Sequence, residues 1–146
     1  MLFLSMLLFA VIMAFCIAKL EINVEGKHGW ARDLPTYRFS NWFTKFFMGR
    51  TKLTGYHVWL NATVFAFVQF PFFIGYPWSF KFELLVLSVL IVGIVFEDFF
   101  WFIFNPAYGL SRFNKKDAPW HHWLGPIPAM YIVCLSISLV LILLSR

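Results

Sequence analysis

Cysteine is scarce in this chain, and so is charge. Its 146 residues include only two cysteines, Cys16 and Cys134, each within an apolar run. Neither a disulfide framework nor a Cys-x-x-Cys zinc or redox motif can be built from them. Charged residues make up 13% against 61% hydrophobic, with 20 phenylalanines, whereas a soluble domain carries about 25% charged residues. That balance excludes an ordinary soluble surface and points to an integral membrane protein. Gly/Ser linkers, low-complexity tracts and internal repeats are also missing, so residues 1–146 read as a single integral membrane domain. There is no Gly-x-Ser-x-Gly nucleophile elbow and no glycine-rich phosphate loop. The net charge of +5 comes with no nucleic-acid motif, and its basic residues flank apolar spans; nucleic acid is therefore not an expected partner.

What the chain does have is apolar length. Four stretches approach the roughly 20 residues that a membrane helix needs, at about 1–18, 56–74, 84–104 and 127–144. The expected fold is all-α, a polytopic membrane protein with four transmembrane helices. The first stretch lacks a basic n-region and a small-x-small cleavage site, so a retained helix is expected there rather than a cleaved signal. Lys19, Lys27, Arg32, Arg38, Lys45, Arg50 and Lys52 lie between the first two stretches, and Arg112, Lys115 and Lys116 between the last two. Only Lys81 and Arg146 fall on the other side, which predicts cytoplasmic long loops and both termini outside. In the first long loop, Phe39, Phe43, Phe46 and Phe47 share one helical face, while Arg38, Asn41, Lys45 and Lys52 fall largely on the other. This pattern, ended by Gly49, predicts an interfacial amphipathic helix among membrane lipids, whose plain role is anchoring.

Glu97 and Asp98 are neighbours inside 84–104, a stretch with no other ionisable group. A charge at bilayer depth costs at least ~2.5–3.5 kcal/mol, so the pair requires partners. The expected topology puts all four histidines at the same leaflet: His28 in the first loop, His57 opening the second span, and His121 and His122 just before the fourth. Glu97 lies ~10 Å inside that boundary at ~1.5 Å rise per residue, within their reach. Glu97 and His57 are expected to face inward as catalytic groups, with Asp98 and His121 beside them. Imidazole nitrogen and carboxylate oxygen suit zinc, iron or manganese, which makes His57, Glu97, Asp98, His121 and His122 the expected set for a divalent metal. No His-Glu-x-x-His helix is present, and four histidines fall short of the repeated histidine boxes of membrane desaturases and hydroxylases. A metal-free alternative has Glu97 exchanging its proton with histidine. For Trp120-His121-His122-Trp123 the plain alternative is an interfacial aromatic belt.

Substrate contacts are expected from His28, Arg32 and Arg38, holding a polar headgroup. Trp101 and Asn105 join them because Trp101 shares a helical face with Glu97, and Asn105 one with Asp98. The combination predicts a membrane-embedded enzyme acting on a lipid or other apolar substrate at the cytoplasmic leaflet. A small ion- or proton-coupled carrier, or an accessory subunit of a larger membrane complex, is the competing class. The carrier version requires a homo-oligomer, since four helices leave little room for a private pore. A third reading is a helical bundle holding haem or chlorin through His57 with His121 or His122.

Overall fold

The computed structural model describes residues 2–42, 44 and 52–146, and these are mostly helical. The helices are α1 (Leu2–Glu25), α2 (Gly55–Val68), α3 (Phe70–Phe73), α4 (Phe80–Phe104) and α5 (Ala129–Leu144). Two short antiparallel ladders tie the connections: β1 (Arg38–Phe39) pairs with β2 (Leu53–Thr54), and β3 (Trp123–Leu124) with β4 (Ile127–Pro128). At ~1.5 Å per residue, α1 and α4 reach ~36–38 Å and exceed the ~30 Å hydrocarbon core of a bilayer. Both are long and apolar enough to cross a membrane. By contrast α5, with 16 residues, and α2, with 14, are shorter than a full span.

Three boundaries differ from expectation, each for a local reason. The expected second span breaks after Val68, because Pro71 has no N–H to continue the ladder and its ring crowds the preceding turn. In the expected fourth span, Pro126 and Pro128 belong to the β3–β4 hairpin, and the helix starts at Ala129. The first helix passes Ala18 and runs on to Glu25, since Lys19 and Glu21 are good helix formers. The expected interfacial helix rests on positions 43 and 45–51, which lie outside the described residues, while Phe39 belongs to β1.

α4 is the central helix, packed against α1 on one side and α5 on another, and it meets α2 only marginally. α1 and α4 run parallel: Ala10 meets Gly93, Phe15 meets Phe100, and Ala18 joins Trp101 and Phe102. α4 and α5 run antiparallel. Along that seam the Lys81 ammonium donates to the Arg146 carbonyl at 2.6 Å, and Ser138 Oγ to the Ser88 carbonyl at 3.0 Å. Ser138 is thus a polar contact between helices, whereas Ser136 is exposed.

The buried face of α1 is Ala10, Ala14, Ala18, Glu21 and Glu25. Small residues let two backbones approach closely, and this stripe then ends in two acids. Leu4, Leu8 and Ile12 of α1, with Leu139, Val140 and Leu144 of α5, are exposed. Apolar side chains thus lie outside and acids inside, an arrangement that hydrocarbon could solvate. At the charged end of the bundle, Trp101, Phe102 and Ala118 form an aromatic core with Tyr108, Phe113, Trp120 and Trp123.

Candidate metal centre

Thr54 ends β2 and begins α2. Its Oγ1 accepts the His57 backbone N–H at 3.3 Å and lies 2.6 Å from Nδ1 of the same histidine. One residue therefore caps the helix and aims the imidazole. The far nitrogen, Nε2, faces α1, at 3.1 Å from Glu25 Oε1 and 3.8 Å from Glu21 Oε1. All three residues are buried. Trp30 stacks on the imidazole with centroids 4.3 Å apart, while its indole N–H donates to the Lys52 carbonyl at 2.7 Å.

The chain around Trp30 is strained. Trp30 and Ala31 hold φ of 53° and 49°, a region that non-glycine residues occupy only when their surroundings over-determine it. Here the turn directs the Ala31 N–H onto Glu25 Oε1 at 2.7 Å. Arg38 clamps it from outside, donating to the carbonyls of Ala31 and Arg32. Gly29 has no room for a side chain, since a Cβ would stand 2.5 Å from the Trp101 ring. The turn thus fixes one oxygen of Glu25 beside His57.

Glu21, Glu25 and His57 each offer one ligand atom, and these atoms lie within 4.8 Å of one another; among the described residues this is the group that could hold a metal ion. One imidazole and two carboxylates match zinc, iron or manganese. In the tautomer that directs Nδ1–H at Thr54, Nε2 would keep its lone pair for an ion, and the outer hydrogen bond fixes the ring orientation. Glu97 of α4 faces Glu21 of α1, near enough for the two carboxyl groups to interact. Carboxylates only accept, so a direct hydrogen bond between them would need one of the two to hold a proton. The Oε1 of Glu97 is buried without a hydrogen-bond partner among the described residues.

Asp98 serves a different cluster. The Tyr131 hydroxyl donates to Asp98 Oδ2 at 2.5 Å, and His121 Nε2 stands 3.4 Å from the same oxygen. His121 Nε2 lacks the alignment of a hydrogen bond, so that contact is one of charge alone when the ring is protonated. Adjacent residues on a helix point ~100° apart, which is why Glu97 and Asp98 diverge.

The five residues expected to share a metal are therefore not gathered in one place. His57 stands in the three-residue group, Glu97 touches it through Glu21, and Asp98 and His121 form the second cluster. His122 is exposed, and its carbonyl accepts the Ala129 N–H at 2.6 Å. Of the expected substrate residues, Arg38 spends its guanidinium on backbone carbonyls and Arg32 is exposed. Trp101 is buried against Gly29, and Asn105 closes α4 with its Oδ1 accepting the Ala107 N–H at 3.0 Å. His28 lines a separate cleft.

Sequence reasoning missed Glu21, Glu25, Thr54, Trp30 and Tyr131. A signal existed for the first two: Ala10, Ala14, Ala18, Glu21 and Glu25 follow helical spacing along one stripe, hidden once the helix is ended at Ala18. No protein family, curated protein or solved structure matches the chain.

Proposed function

We propose that this chain is a membrane-embedded, divalent-metal-dependent enzyme acting on a lipid or other apolar substrate at the cytoplasmic leaflet. One observation carries the reading: Glu21, Glu25 and His57 converge, buried, at the charged end of a bundle whose outer face is apolar. Two carboxylates buried side by side repel one another and lose their hydration, and a single imidazolium would balance only one of the two charges. A divalent ion between them offsets both costs, and His57 completes a mixed nitrogen and oxygen donor set. Such an ion polarises a substrate oxygen or activates water. Glu97, beside Glu21, is the group we assign to moving a proton at that carboxylate.

The test is elemental analysis of the full chain purified in a neutral detergent. About one zinc, iron or manganese per chain is expected, falling at least tenfold in Glu25→Gln and His57→Ala while helicity is retained. A wild-type protein that retains no ion, even after reconstitution with each of the three metals, would end the metal-dependent reading. The closeness of Glu21 and Glu97 favours a second reading, in which the same groups carry protons without a metal in a carrier or accessory subunit. That reading takes over if the ion is absent and the fold is intact.

A further inference from the structure

We infer that the cleft beside the proposed metal centre binds the phosphate group of an anionic lipid. This cleft, of about 340 Å³, is lined by Lys27, His28, Ala107, Tyr108, Arg112 and Asp117. One wall is the single turn Gly26–His28, which directly follows Glu25. The other is the segment after α4, where Ala107 and Tyr108 lead to the turn Leu110–Arg112.

The charge of the walls selects an anion. Lys27 and Arg112 are cationic, His28 adds its imidazole nitrogens, and Asp117 is the single acid of the lining. Asp117 already accepts a hydrogen bond from the Asn114 amide at 2.9 Å. Arg112 donates one N–H to the Ala107 carbonyl at 2.7 Å, which fixes the guanidinium on its wall. A guanidinium has five N–H donors, so that bond leaves others for an incoming oxygen. Donors on two opposed walls suit a tetrahedral phosphate better than a planar carboxylate, whose two oxygens face one way.

Position selects a lipid as the source. The cleft lies where α1 and α4 end, immediately beyond their apolar lengths, which is headgroup depth for helices that cross a bilayer. Leu110, two residues before Arg112, is 62% exposed, an apolar contact for a chain leaving the headgroup. As a statement about substrate class the inference rests on the enzyme reading above; as a binding site it stands alone.

Calorimetric titration of the full chain in neutral detergent tests it, with dihexanoyl phosphatidic acid, dihexanoylglycerol and inorganic phosphate as probes. Phosphatidic acid is expected to bind, with affinity falling about tenfold or more in both Lys27→Gln and Arg112→Gln, as loss of a charge-assisted hydrogen bond implies. Because Arg112 also braces its own loop, exposed Lys27 gives the cleaner result. Unchanged affinity in both variants, or equal affinity for the phosphate-free glyceride, overturns the site. Inorganic phosphate bound as tightly as the lipid overturns the lipid assignment, and weaker binding of it supports that assignment. His57→Ala separates the two proposals. Phosphatidic acid binding that persists in this variant while its metal is lost shows the cleft to be independent of the ion, whereas a wild-type chain that binds phosphatidic acid but retains no ion leaves the cleft standing and the metal reading refuted. A chain that holds metal while the cleft variants bind normally does the reverse.

Discussion

Glu97 separates a reactive centre from a buried network. Substituting Gln preserves its size, and the amide N–H can donate to the neighbouring Glu21 carboxylate. Glu97→Gln is therefore expected to keep its thermal stability and metal content, whereas Glu21→Gln keeps the fold and loses the ion. Parallel thermal unfolding and elemental analysis check this; a loss of ~3–5 kcal/mol in Glu97→Gln would instead mark a charged structural pair left without its partner. Thr54 has two duties that one variant exposes. Thr54→Val should cost about 1 kcal/mol as a lost helix cap. It should also weaken metal affinity ~10–100-fold through the freed imidazole, read by competition with a chelator. Tyr131→Phe acts on the other cluster, leaving Asp98 with His121 alone. We expect it to destabilise the chain by ~1–3 kcal/mol with metal content unchanged; a fall in metal content would join the two clusters into one. None of these roles for Thr54 or Tyr131 was legible in the sequence, because a hydroxyl carries no pattern until the fold supplies its partner.

At the scale of elements, the α1–α4 seam depends on small side chains. Ala14 is 2% exposed, and Ala14→Leu should destabilise the bundle by ~1–3 kcal/mol through overpacking, measured by thermal unfolding in detergent. Gly93→Ala should do little, because the added Cβ would rest 3.7 Å from Ala10 Cβ, an ordinary contact. Gly29→Ala combines a positive φ of 60° with a 2.5 Å clash against Trp101, and should be far more damaging than Gly93→Ala. Equal effects of these two glycine variants would refute the described packing of the Gly29 turn against α4. The long apolar helices were legible because hydropathy is a sum over many residues and tolerates local exceptions. The break at Pro71 was legible in principle, since proline's missing donor is a property of one residue, yet apolar length alone concealed it. The β3–β4 hairpin was not, because its prolines read equally well as the first turn of a helix.

Across the whole molecule, both acid clusters, the cleft and the aromatic core lie at one end of a bundle whose flanks are apolar. Cysteines placed at Lys27 and Lys116 should both be labelled from the same face of a sealed vesicle, as the proposed loop topology requires; labelling from opposite faces would refute it. Composition alone determined the helical character and the apolar lengths that make two helices able to cross a membrane, because burying backbone polar groups in hydrocarbon leaves such stretches few alternatives to helix. Charge placement singled out Glu97, Asp98, His57 and His121 as groups that need partners, because an isolated charge at depth is costly whatever surrounds it. Which group meets which was decided only by the tertiary structure. Parallel packing of α1 on α4 brings Glu21 to Glu97, antiparallel packing of α5 brings Tyr131 to Asp98, and the strained turn at Trp30 and Ala31 sets Glu25 against His57. The physical reason is that helical periodicity specifies the face a residue occupies on its own helix, while its partner across the bundle depends on helix order, direction and axial offset, which no local spacing encodes.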